Sequence, residues 1–289
     1  MQPTPLERPS FDALLPAEMA RRAEELGAKK CQMDTAVIFA LAMLAGAFIA
    51  LGAIFATIAL TDTSAHLGFG LSRMLGGLAF GLGLILVVVA GGELFTGNNL
   101  LVMAWASGRV PLAGLLRNWV IVYSGNFVGA LATAALMLLS RSYTAGAGAV
   151  GVQALTIAVN KCQLGFVQAF ALGVLCNGLV CLAVWLTYSA RSTTDKILSI
   201  LFPITAFVAA GFEHSVANMY FVPFGWLLKQ FDPAWVAANA PQLDLSPLTV
   251  PGFLLNNLLP VTLGNIVGGT VLVGLFYWFV YLRPRQAAR

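Results

Sequence analysis

The chain reads as an all-α integral membrane protein of six transmembrane helices, built as an inverted three-helix repeat in which the second and fifth helices are broken. Three observations carry that reading. Only 16 Lys and Arg and 12 Asp and Glu occur in 289 residues, 59% of which are hydrophobic, and uncharged stretches of bilayer-spanning length recur throughout. A segment of the form Gly-x-Glu-x-x-x-small-Asn occurs twice, at 91–98 and 211–218, and its carboxylates Glu93 and Glu213 are the ones that interrupt apolar runs. The basic residues, finally, divide unevenly between the two sides that six crossings define.

Residues 11–30 place Leu14, Leu15, Met19, Ala23 and Leu26 at helical spacing, with Pro16 in a first-turn position and Arg21, Arg22, Glu24 and Glu25 on the opposite side. An amphipathic helix within an N-terminal segment 1–33 follows. It serves either as a membrane-surface anchor or as a movable cap over the adjacent mouth, answering to pH or to a cytoplasmic protein partner. Residues 1–30 mix both charge signs and lack the apolar core of a signal peptide, so this end is expected to stay in the cytosol.

The spans are expected from uncharged runs at 36–60, 74–92, 118–140, 162–190, 197–212 resuming after Glu213 as 214–228, and about 252–282. They form a channel domain 34–282, with repeat one about 34–140 and repeat two about 162–282, followed by a tail 283–289. Twelve of the 16 basic residues then fall on the N-terminal side, leaving Arg73, Arg141, Lys161 and Lys229 on the other. By the positive-inside rule both termini are cytoplasmic. The net charge of +4 therefore reports topology, and nucleic acid is not a partner. Cys31, Cys162, Cys176 and Cys181 lie in or beside apolar segments without metal-ligand spacing and are read as packing residues.

The duplication extends to Ser124-Gly125-Asn126-Phe127-Val128-Gly129 and Leu263-Gly264-Asn265-Ile266-Val267-Gly268, so each half is a three-span unit. Three being odd, the second unit enters the membrane inverted. The two copies are spaced unequally: Glu93 to Asn126 is 33 residues and Glu213 to Asn265 is 52, the excess lying in a polar loop from Lys229 to Pro251. The Gly-x-x-x-Gly pairs mark close helix contacts, with Asn126 and Asn265 as interhelical hydrogen-bond partners.

A carboxylate in hydrocarbon is costly, so two at matching places imply an interior lined by protein or water and a polar solute. The second half-helices would begin near Asn98-Asn99 and near Ser215, and their free N–H groups would attract anions. Glu93 and Glu213 then either pin the broken backbone or contact the solute. Asn98 and Asn218 are structural at the same breaks. His214, the one histidine in an apolar run, can exchange a proton near neutral pH. Thr96 occupies the corresponding neighbourhood of the other half, where its hydroxyl either bonds the imidazole or caps a helix.

These residues resemble the formate/nitrite transporter family along the whole chain. Residues 211–219 are similar to the family's most distinctive stretch, Gly92-Glu93-Leu94-Phe95-Thr96 to its first-half counterpart, and Leu259-Pro260-Val261-Thr262-Leu263-Gly264-Asn265 to its sixth-span motif. Residues 11–20 and Tyr220-Phe221-Val222-Pro223-Phe224-Gly225 resemble the formate-channel branch, whereas Gly97-Asn98-Asn99 differs from the Ser/Thr-rich loop of that branch. The resemblance implies an aquaporin-like fold, a homopentamer in a bacterial inner membrane, and an anion path through each protomer. It implies constrictions at Leu84, Phe95 and Val180 on the cytoplasmic side and at Phe80 and Phe207 on the external side. His214 and Thr96 lie between them, with Asn177 and Lys161 meeting the anion.

The function so implied is a pH-sensitive channel for formate and related small monovalent anions, with His214 as proton donor or hydrogen-bond gate. A nitrite or hydrosulfide channel, or a proton-coupled symporter of small carboxylates, is the alternative. No cofactor or metal is called for. An intramembrane enzyme is disfavoured because the chain has no His-Glu-x-x-His, and Ser215 beside His214 is badly placed for a dyad.

Overall fold

The computed structural model describes residues 13–283. Phe11 and Asp12 of the N-terminal motif, Arg8, and all of the tail beyond Arg283 lie outside the described residues. Among those described the protein is helical throughout, with six helices long and apolar enough to cross a membrane.

Helix α1 (Pro16–Cys31) is the amphipathic segment, started by Pro16 and burying Met19, Ala20, Ala23 and Gly27. The first repeat follows as α2 (Thr35–Leu60), α3 (Thr63–Gly91), a short second half α4 at 97–106, and α5 (Leu112–Leu139). Helix α6 (Ala149–Cys162) leads into the second repeat: α7 (Phe166–Ser189), α8 (Thr193–Ala210), its second half α9 (Ser215–Phe231), and α11 (Gly252–Tyr281). The segment read as a loop from Lys229 to Pro251 includes the end of α9 and a short helix α10 (Pro233–Asn239), capped by the Asp232 side chain. Because α1 and α6 both precede a repeat, the duplicated unit is larger than the three spans read from hydropathy.

Each half packs on itself as the inverted repeat requires, α2 against α3 and α5, and α7 against α8 and α11, while α3 meets α8 and α5 meets α9 across the pseudo-two-fold. The polar core residues, among them Thr96, Asn177, His214 and both octapeptide carboxylates, lie where these elements converge. Large side chains such as Phe69, Val120, Leu139, Val167 and Phe202 point outward, as expected of surfaces facing lipid or other protomers.

The two breaks are initiated identically. Gly91 at the end of α3 and Gly211 at the end of α8 adopt φ of 95° and 77°, the left-handed geometry that glycine enters without steric cost, and the helices stop there. Span two also starts earlier than the uncharged run suggests, at Thr63 with a kink at Gly68. Arg73 therefore lies inside α3. Its guanidinium donates to the carbonyls of Val208 (2.7 Å) and Ala209 (3.1 Å), satisfying carbonyls freed where α8 ends.

The glycine pairs permit backbone contact. A methyl group built on Gly129 would collide with the Met43 carbonyl, and one on Gly264 with the Phe170 carbonyl. Neither neighbour can move, being helix backbone. Gly264→Leu is therefore expected to abolish the folded species, well beyond the ~1–3 kcal/mol of ordinary overpacking, and fluorescence-detected size exclusion of detergent-solubilised protein should show loss of the native peak.

Candidate functional site

Each break is held by one asparagine placed on the last span of its repeat. Asn126 accepts the Phe95 N–H (2.9 Å) and donates to the carbonyls of Glu93 and Ala42 (both 2.8 Å). Asn265 repeats this in the other half, accepting the Ser215 N–H (2.9 Å) and donating to the carbonyls of Glu213 (3.0 Å) and Gly173 (2.8 Å). The carboxylates do not pin the backbone. That task falls to the asparagines, whose amides offer both a donor and an acceptor.

The carboxylates instead face lysines. Glu93 sits 3.1 Å from Lys30, and Asn98 bridges the pair by accepting from Lys30 (2.9 Å) and donating to Glu93 (2.7 Å) and to Asn118 (3.0 Å). On the opposite side Glu213 sits 2.8 Å from Lys161, with Asn218 donating to Glu213 and to Asn257 (both 2.7 Å). Asn118 and Asn257 each donate in turn to the carbonyl of the lysine (3.5 and 3.1 Å). Lys161 is thus no free external charge; its ammonium is committed to Glu213 and its side chain is 15% exposed.

These two clusters line two cavities. One, of about 300 Å³, opens on the side of α1 and is bordered by Lys30, Glu93, Asn98 and Leu84. The other, of about 410 Å³, opens on the opposite side and is bordered by Lys161, Glu213, Asn218, Arg73, Phe80, Phe207 and His214. The apolar side chains between and bordering them are buried: Leu84, Phe80, Phe95, Val180 and Phe207 are all at most 3% exposed. Phe80 and Phe207 meet edge to face at 5.6 Å, and Phe207 lies nearly parallel to the His214 ring at 5.9 Å. Phe95 packs on Tyr123 (4.9 Å) and Trp119 (6.1 Å), and neither it nor Val180 borders either of these two cavities.

At the centre His214 and Thr96 join the two breaks, Nε2 and Oγ1 lying 2.9 Å apart. Nδ1 accepts the Ala217 N–H at 3.0 Å, making His214 the side-chain cap of α9. An imidazole nitrogen that accepts carries no proton, so the proton of the neutral ring is on Nε2 and is donated to Thr96. The Thr96 hydroxyl consequently does not cap α4. It retains its own hydrogen to donate.

One expectation needs correction. The half-helix ends are not open anion sites: α9 has its Ser215 and Ala217 N–H groups taken by Asn265 and His214, and α4 begins as a 3-10 turn over Gly97–Leu101. Asn177 borders neither cavity. Its amide donates to the Thr96 and Asn265 carbonyls (3.3 and 2.7 Å) and to Asn99 Oδ1 (2.7 Å), tying the first break to span six.

The formate/nitrite transporter model matches residues 17–279. The chain belongs to that family. Its relatives include the formate channel FocA of Escherichia coli K12, 46% identical over 96% of this chain and 97% of that one, and FocA of Haemophilus influenzae, 41% identical over 91% and 93%. A probable formate transporter of Methanothermobacter thermautotrophicus is 40% identical over 93% and 97%. Among solved structures, a pentameric formate channel with formate bound superposes with a TM-score of 0.81 at 45% identity, covering 86% of this chain and 98% of that chain. An ion channel of the same family gives 0.78 at 28% identity, covering 91% and 98%. Formate/nitrite transporters are membrane transport proteins rather than enzymes, and this member is a multi-pass membrane protein.

The roles of Lys30, Asn118 and Asn257 at the two clusters, and of Arg73 at the end of α8, have little local signature in the sequence. A signal for Lys30 was present: Lys30-Cys31-Gln32 and Lys161-Cys162-Gln163 are the same tripeptide, one closing α1 and the other ending α6. Removing one partner of a buried pair strands the other. Lys161→Met is therefore expected to destabilise the protein by about 3–5 kcal/mol and Lys161→Met with Glu213→Gln by much less, as read from thermal unfolding in detergent; equal losses would show that the pair is not coupled.

Proposed function

We propose that the protein is a channel for formate and related small monovalent anions, each protomer of a homopentamer carrying its own path from one vestibule to the other. The observation that carries this reading is the His214–Thr96 contact, a hydrogen-bonding pair at the buried centre between two cavities that each hold an ion-paired lysine. The α1 side is taken as cytoplasmic, in a bacterial inner membrane. Support comes from the excess of basic residues on that side and from the family's named formate channels.

A carboxylate reaching a vestibule finds a lysine that it must share with Glu93 or Glu213, and beyond that point the apolar rings offer nothing to replace its water shell. The barrier to a bare anion is then several kcal/mol or more. Formic acid, being neutral, escapes most of it. The Thr96 hydroxyl keeps a hydrogen to donate, and His214 Nε2–H becomes a second donor when its bond to Thr96 opens, so that carboxylate oxygens are satisfied while the solute crosses between the rings. Proton delivery by His214 would engage the Nδ1 cap as well, because an imidazolium has no acceptor left for the Ala217 N–H.

That double duty decides the useful variants. His214→Phe removes both the titratable ring and the cap, the latter costing about 1 kcal/mol. His214→Asn keeps an acceptor for α9 and removes the titrating ring together with its Nε2–H. In proteoliposomes His214→Asn should retain the oligomer, lower formate flux on the order of 100-fold, and lose the pH dependence of flux. An unchanged pH profile would remove His214 from the mechanism. Parallel assays with nitrite and hydrosulfide test the choice of solute, and faster wild-type flux of either would displace formate.

A further inference from the structure

Beside the α1-side vestibule lies a further cavity of about 520 Å³ that shares Leu26, Val88, Thr187 and Tyr188 with it. Its polar wall comes from Arg22 of α1, Arg191 in the turn after α7, and Lys196 in the first turn of α8, and it includes no Asp or Glu among the described residues. The neighbouring carboxylate, Asp195, accepts the backbone N–H groups of Arg191 (3.0 Å) and Ser192 (2.9 Å) as part of the α8 capping box. Arg22 and Lys196 form no ion pair among the described residues. Deeper in, by contrast, Lys30 is matched by Glu93.

We propose that this antechamber binds phosphate-bearing anions and that they compete there with the monovalent solute entering from the α1 side. Cations converging from α1 and α8 on one low-dielectric concavity reinforce one another for a ligand of charge two or more, whereas a formate gains from them once. An arginine fork together with a lysine suits phosphate oxygens. Such a ligand cannot become neutral with one proton, so the apolar rings stop it and it stays in the mouth. The competition rests on the transport reading above; the binding does not.

The probe is pyrophosphate. Titration calorimetry on the intact, lipid-free oligomer in detergent at low ionic strength should show saturable binding at least tenfold tighter than that of formate, and at least tenfold weaker binding by R22Q/K196Q, with size exclusion verifying that the variant keeps its oligomeric state. Repeating it in nanodiscs of phosphatidylcholine and of phosphatidylglycerol distinguishes the phosphate source: displacement of pyrophosphate by the anionic lipid alone assigns the site to a headgroup, and equal binding in both assigns it to a soluble phosphate. In oriented proteoliposomes pyrophosphate on the α1 side should raise the half-saturation concentration for formate several-fold without changing maximal flux, and should do nothing from the other side. Absence of binding, or binding that R22Q/K196Q leaves intact, overturns the site. Binding without any formate flux in the wild type would instead refute the transport reading and leave the site standing.

Discussion

A helix interrupted inside a bilayer exposes peptide groups that no water can satisfy, and this protein is organised around meeting that requirement twice. Asn126 and Asn265 supply a donor and an acceptor to the unwound backbone of each break from the adjacent span. To reach it, each asparagine must stand on a helix that presses closely against its neighbour, which is why Gly125, Gly129, Gly264 and Gly268 flank the two amides. Close packing, the breaks, and the central pair they position are thus one construction. Removing the small residues would move the amides away from the groups they serve.

The same logic explains how carboxylates come to lie beside a path for anions. Standing alone, Glu93 and Glu213 would repel the solute; paired with Lys30 and Lys161 they present a neutral, hydrogen-bonding surface. The asparagines at 98, 118, 218 and 257 complete these clusters by occupying oxygens and carbonyls that would otherwise remain unpaired. Each cluster draws on three elements, so the vestibule walls are fixed relative to the breaks.

Hydropathy and the duplicated octapeptide made the six spans, the two breaks and the His214–Thr96 meeting legible in the sequence, because each depends on local pattern or on repeat position. Partners distant in sequence were not legible. Nothing local to Glu93 names Lys30 on another helix, and the lysine's counterpart had to be found through the Lys-Cys-Gln tripeptide, which hydropathy ignores. The start of span two was set too late because a charge ends an uncharged run even where the helix continues and the Arg73 guanidinium reaches a neighbouring helix end. The partners of Asn177 and Phe95 were not legible either: the Asn177 amide bonds Asn99 Oδ1 and the carbonyls of Thr96 and Asn265, and the Phe95 ring packs against Tyr123 and Trp119.

The near-equivalence of the two ion-paired clusters has an electrical meaning. Each combines one positive and one negative side chain, and the inverted repeat sets one beside each break. A membrane voltage therefore finds little net fixed charge in either cluster to displace. Whatever rectification the path has must arise at its unlike ends, with a basic mouth beneath α1 on one side and an aromatic, imidazole-lined bowl on the other.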